Sequence, residues 1–155
     1  MNRRPGFSVI ELLVVLTIVG VLARFASPKY AEVRRQALAR TIAGDLNAIR
    51  LAAVNYNQDR NTWPANSNRG AMPPELQAYL PANFTFQRAT YDLDWDTYTV
   101  RSATGSTRAR TVVPAVSVWT NDPKLAAAIA RMATAGLAHV AYGNRTMFLL
   151  LGHGA

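Results

Sequence analysis

Glu11 is the only charged residue in an apolar run over residues 7–23, which Ser8, Thr17 and Gly20 otherwise interrupt. An unpaired carboxylate in a bilayer costs a few kcal/mol, about 2.5–3.5 on insertion scales, so a counter-charge has to meet it. Cleavage of the chain after Gly6 supplies one. It exposes a cationic amine on Phe7, four residues before Glu11. An amine and a carboxylate that are both poorly solvated neutralise one another. The geometry can be met within one helix, or between neighbouring molecules offset along the axis by about one turn. In the second case an unmatched Glu11 leaves a buried charge, so the pairing enforces register.

Other candidate chemistries are weaker. Asp92, Asp94 and Asp96 alternate like the first ligands of a calcium loop, but Thr97 and Ala103 stand where its glycine and terminal glutamate belong. The preferred reading is a solvated acidic strand face that meets arginines, with no metal and no other cofactor. The two histidines, His139 and His153, have no carboxylate or hydroxyl partner visible in the sequence, which leaves a nucleophilic triad or a zinc site unsupported. There is no cysteine, which excludes disulfides, thiolate metal sites and a thiol nucleophile. No glycine-rich phosphate loop appears, and the chain reads as a non-enzyme. The formal charge of +8 allows attraction to nucleic acid or an anionic surface, but no known nucleic-acid module supports it.

The elements that position Glu11 follow from periodicity. As a helix, the seventeen residues 7–23 span about 26 Å at ~1.5 Å each. Continuing to Ser27 completes a bilayer span, with Arg24 near the far end, able to snorkel. A cleaved secretory signal ("VLARFAS") and a plain signal anchor both leave Glu11 unexplained. Pro28 lacks an N–H, so it kinks or opens the helix, or starts a new one with Ser27 as cap. Leu38, Ile42, Leu46, Ile49, Ala53 and Tyr56 then recur at steps of three or four, an amphipathic helix whose other face carries Arg40, Asn47 and Arg50. Gly44 weakens this helix and allows close packing.

A polar loop from Asn57 follows, with Trp63 folding back as a lid and "PPELQAYL" as a short helix or turn. Residues 84–88 read as a strand. Residues 89–100 read as a second, with Tyr91, Leu93 and Trp95 inward and a bulge or turn near Asp96. "RSATGSTRAR" reads as a loop, and "TVVPAVSVW" as a third strand, with Pro114 marking an edge or bulge. "NDPKLAAAIARMAT" carries a helix start at Asn121 or Asp122 and a stop at Gly136. Gly143-Asn144 suits a two-residue hairpin turn. The expected class is α+β: a long N-terminal helix packed on a small antiparallel sheet, with a short additional helix. The expected division is a leader over 1–6, an apolar helix over 7–27, its amphipathic half over 28–59 and a head over 60–155.

"GFSVIELLVVLTIVGVLARFASPKY", behind the basic leader "MNRRPG", resembles the N-terminus of type IV prepilins and pseudopilins. The resemblance rests on Gly6, Phe7, Glu11, the apolar run, Pro28 and Tyr30, and covers about the first thirty residues. It implies cleavage between Gly6 and Phe7 by a membrane prepilin peptidase, N-methylation of Phe7, and assembly through Glu11. The helix then melts or stretches near Pro28 in a filament. It implies a single-pass subunit of a bacterial inner membrane with a periplasmic head. Its partners would be other pilin or pseudopilin subunits, a platform protein and an assembly ATPase, in a pilus or a type II secretion pseudopilus. Arg24 departs from the usual apolar pattern, which a subunit used sparingly tolerates best. The calcium site of major pseudopilins is not carried over, because no acidic cluster lies near this C-terminus. Alternatives are a filament-displayed subunit that binds DNA or adheres, and a simple anchored periplasmic protein.

Overall fold

The computed structural model describes residues 8–104, 107–133 and 138–150. Its spine is α1 (Val9–Arg60), 52 residues that follow Ser8 in extended conformation. At ~1.5 Å per residue the helix is about 78 Å long. It does not restart at Pro28, so a second helix capped by Ser27 is ruled out. Pro28 sits in the interior of α1, where it has no N–H to give the carbonyl of Arg24. Asn61 ends the helix in the left-handed conformation, φ 53°, and its N–H donates to the Asn57 carbonyl at 2.7 Å.

The amphipathic half of α1 buries the predicted stripe. Ile42, Leu46, Ile49 and Ala53 are buried, with Leu38 and Tyr56 packed against the same cluster, while Arg40, Asn47 and Arg50 face out. Gly44 is exposed, and a Cβ there would meet nothing within 4 Å, so it serves no close contact inside the chain.

The covering sheet has four antiparallel strands in the order β1-β2-β4-β3: β1 (Asp92–Thr104), β2 (Thr107–Trp119), β3 (His139–Tyr142) and β4 (Arg145–Leu149). Leu93 and Trp95 of β1, Val116 and Val118 of β2, and Phe148 of β4 form the inner face against α1. The second helix, α2 (Pro123–Ala133), adds Leu125 and Ile129 to this core. Its start is as expected. Asp122 Oδ1 accepts from the N–H groups of Lys124 (2.9 Å) and Leu125 (3.3 Å). Gly136, its expected stop, lies outside the described residues. Pro74–Leu76 form a 3₁₀ turn with proline at the first position, and Trp63 packs on the core as a lid.

Four expectations are corrected. Residues 84–88 are not a strand: a single bridge joins Gln87 to Asp92, and the Arg88 N–H donates to the Tyr91 carbonyl across a turn. There is no bulge near Asp96, since β1 and β2 pair one-to-one from Asp92↔Trp119 to Thr104↔Thr107. The apparent change of phase at Tyr98 arises because that residue and Val100 share the outer parity of the aspartates and stay exposed. "RSATGSTRAR" is not a loop between strands but the end of a long hairpin. Pro114 makes no bulge. It stands just beyond the pairing of β2 with β4, and its carbonyl, turned toward that side, accepts from the Leu150 N–H at 3.0 Å. The missing N–H points the same way, so the ladder to β1 loses no donor.

The free edge of β1 is covered by the loop after α1. The N–H groups of Ser67 and Gly70 donate to the carbonyls of Trp95 (3.1 Å) and Leu93 (2.8 Å). Asn66 Oδ1 accepts from the N–H of Thr97 at 2.8 Å. Gly70 holds φ +76°, which favours glycine at this turn. The β3–β4 hairpin turns at Gly143-Asn144 with Gly143 at φ 59°, as the dipeptide indicated.

Candidate functional site, the exposed apolar half of the long helix

Every residue from 9 to 25 is exposed, in a chain whose other large apolar side chains mostly make one core. Leu12, Val15, Ile18 and Leu22 are each about half exposed (55%, 48%, 54% and 62%), as on a helix with no protein on any side. An 18-residue window of α1 reaches a mean hydropathy of 2.4 and none of it is buried, so the helix is long and apolar enough to cross a membrane. The polar residues inside it are handled locally. Thr17 Oγ1 donates to the Leu13 carbonyl at 2.8 Å, which conceals the hydroxyl. Glu11 falls in the first turn, beside N–H groups that have no partner within the helix. That placement favours a negative charge by about 0.3–1 kcal/mol, less than the cost of burying it in lipid. Glu11 and Arg24 are both exposed and unpaired among the described residues.

The head is tied to the amphipathic half of the same helix by side chains that sequence alone does not pair. Asp45 accepts from the Tyr91 hydroxyl at 2.6 Å and from Arg88 at 3.2 Å. Burial, and then the Asp45 carboxylate, push the Tyr91 hydroxyl well above its ordinary pKa, so it stays a donor. Nearer the exposed apolar half, Arg35 Nε donates to Asp122 at 3.1 Å. At the far end the Tyr79 hydroxyl donates to Asp59 at 2.8 Å. The only signal for these links was the placement of Asp45 and Arg35 on a helix face next to the apolar stripe.

The alternating aspartates do meet arginines. Arg69 donates to Asp92 (2.7 Å) and Arg145 to Asp96 (2.7 Å), and both guanidiniums lie over the Trp119 ring, at 5.0 and 5.2 Å from its centre. Asp94 between them is buried with Oδ1 unpartnered. Its carboxyl is pushed up by burial and by the charge of Asp96, against the pull of Trp119, Arg145 and Arg69. No group of three acidic or histidine side chains among the described residues could hold a metal ion. His139 stacks beside Phe148, with ring centres 5.9 Å apart.

Of the residues the sequence put forward, Gly6 and Phe7 lie outside the described residues. The structure places Glu11 in the first turn of α1 and Pro28 some 26 Å further along (about 1.5 Å per residue), so α1 sets the spacing between them but brings no partner to either.

Comparison with known proteins bears on the same segment. The signature of the prokaryotic N-terminal methylation motif matches residues 1–23. The chain is 32% identical over 71 residues to a type IV major pilin of Neisseria gonorrhoeae (46% of this chain, 33% of that one). It is 32% identical over 87 residues to a type IV wide pilus major component of Thermus thermophilus (56% and 64%). It is 33% identical over 64 residues to the type II secretion system core protein G of Klebsiella pneumoniae (41% and 46%). Through this segment the chain is similar to type IV pilins and to type II secretion core proteins. Type IV pilins and type II secretion pseudopilins are structural, non-enzymatic subunits. The matches of this chain span between about a third and just under two thirds of these relatives' length. No solved structure matches it.

Proposed function

We propose that this chain is a structural subunit of a type IV filament system, a pseudopilin or minor pilin, assembled through α1. In this reading a prepilin peptidase removes residues 1–6 and methylates the new amine of Phe7. The apolar half of α1 then holds the subunit in the bacterial inner membrane, single-pass, with the head on the periplasmic side. A platform protein and an assembly ATPase draw it into a filament, where Glu11 meets the Phe7 amine of a neighbouring subunit. Pro28 is the point at which α1 gives as it is drawn out, because one helical hydrogen bond is already missing there.

The observation that carries this reading is the pairing of opposites on one helix. Its head half is fully committed to a core, while its first half exposes a continuous apolar surface holding one carboxylate. A plain anchor needs the apolar surface and not the carboxylate. The test is Gly6→Leu in a host that owns the peptidase. Expected is retention of Met1 and of the full mass, with loss of the subunit from sheared filaments. A variant of unchanged processing and assembly favours the simple anchor instead.

A further inference from the structure

A cleft of about 540 Å³ opens where α1 first meets the head, between Tyr30, Arg34 and Arg35 on the helix and Arg69, Arg88 and Trp119 on the head. Its height along α1 is fixed by the helix. Tyr30 follows the last apolar residue of the exposed run, Phe25, by five positions, which is about 7.5 Å. The headgroup layer on one side of a bilayer is about 5–8 Å thick, the difference between a 30 Å hydrocarbon core and a 40–45 Å total. When the apolar half of α1 spans a bilayer, the mouth of the cleft therefore lies at headgroup level. Tyr30, 73% exposed, sits where aromatic side chains anchor membrane proteins.

The charge of the cleft selects the ligand. Four guanidiniums line it against two carboxylates, Asp92 and Asp122. Arg35 and Arg69 are each bonded to one of these, and Arg88 to Asp45 on α1. A guanidinium has five N–H donors, so each pair leaves donors over; Arg88 Nε is buried with none of its bonding satisfied. Arg34 is exposed and has no acidic partner among the described residues. The aromatic wall does not suit a quaternary ammonium, because Arg69 and Arg145 already lie over the Trp119 face. An anion with several acceptor oxygens fits, and a choline group does not.

We propose that this cleft binds the phosphate of an anionic phospholipid headgroup and so seats the head on the bilayer before the subunit leaves it. The inference rests on the membrane-anchored reading above. It also gives the departing subunit a lipid contact to break, in addition to the apolar burial of α1.

The test is native mass spectrometry of the full chain in mild detergent with phosphatidylglycerol and phosphatidylcholine in equal amounts. Arg34→Glu is compared with Arg40→Glu, which makes the same charge change at an exposed residue six positions away that does not line the cleft. Expected is retention of phosphatidylglycerol over phosphatidylcholine by the wild type, reduced at least about fivefold by Arg34→Glu and left in place by Arg40→Glu, since one basic side chain near an anionic surface is worth about 1 kcal/mol. Equal loss in both variants, or no preference in the wild type, overturns the site. Full displacement by millimolar inorganic phosphate overturns the lipid and leaves a free-anion site. Carbonate extraction of the expressing membranes separates the two levels: a chain that resists extraction yet shows no lipid preference sinks the cleft alone, and a chain that is washed off sinks the anchored reading with it.

Discussion

Replacing Glu11 with valine should move membrane insertion and filament entry in opposite directions. Among the described residues Glu11 has no hydrogen bond or ion pair; the first-turn position favours its charge by about 0.3–1 kcal/mol. A carboxylate at mid-bilayer costs about 2.5–3.5 kcal/mol, and valine is favourable there by about 0.3–0.6 kcal/mol. The variant therefore gains at most about 4 kcal/mol in insertion, and less in practice because Glu11 lies near one end of the span. In a filament the sign reverses. Removing one member of a buried pair leaves the other uncompensated, at about 3–5 kcal/mol, or about two to four orders of magnitude in occupancy. The assay is the ratio of the subunit in sheared filaments to the subunit in membranes, with wild-type chain expressed alongside. A Glu11→Val chain that enters filaments at the wild-type ratio would show that no counter-charge waits for Glu11, and the pairing argument would fail.

The head offers three further checks. Trp95 is fully buried, and its Nε1 donates to the Pro64 carbonyl at 3.2 Å; Trp95→Ala should cost about 3–5 kcal/mol in denaturant unfolding, and a loss below about 1 kcal/mol would mean the core closes differently. Asp122 has its pKa lowered: burial works against the charge, but Arg35 and the N–H groups of Leu125 and Lys124 outweigh it. Its contribution is present above the ordinary carboxylate pKa and is lost as pH falls through the lowered one. Asp122→Asn, which keeps a good cap, should be less stable than wild type at neutral pH and converge with it below about pH 3, since the reference aspartate titrates near ~3.9; parallel curves across that range would refute the assignment. Asp94 is shifted the other way, by burial and Asp96, so wild-type stability should rise as pH falls through its raised pKa. Asp94→Asn should stabilise the head at neutral pH, and a net loss there would show that the charge is held by a partner.

Local pattern carried much of this fold. Ile42, Leu46 and Ile49 recur at helical spacing and are buried together, Asp122-Pro123 opens α2, and Gly143-Asn144 turns the last hairpin. Each of these signals is complete within one turn or one hairpin. The errors arose where a distant neighbour decides. Residues 84–88 alternate like a strand, and the Phe86 carbonyl does accept from the Leu93 N–H at 2.8 Å, but from the Leu93 carbonyl onward the edge of β1 is taken by the loop at Ser67 and Gly70, so the pairing stops at one bridge. Residues 101–104 and 107–110, polar enough to read as a loop, extend the β1–β2 hairpin by unbroken backbone pairing. For the candidate site, Glu11 was legible because one charge in an apolar run is conspicuous. The Asp45–Tyr91–Arg88 and Arg35–Asp122 links were not, since they join positions 46, 43 and 87 residues apart.

Those links bear on how a subunit can be moved. Arg35, Asp45 and Asp59 attach the head to α1 along about 36 Å of helix, at ~1.5 Å per residue, with the buried stripe running between them. A force applied to the head is therefore delivered to α1 over several turns, and the helix and head travel as one body. In the proposed assembly the apolar half, which is exposed from 9 to 25 and unattached to the head among the described residues, exchanges lipid for other helices. Pro28 stands between these two regions, seven residues before the first clamp at Arg35. A helix that stretches under load should open there first: from Arg35 onward the clamps and the core hold the helix to the head, and before Pro28 a bilayer or a bundle penalises any exposed backbone group.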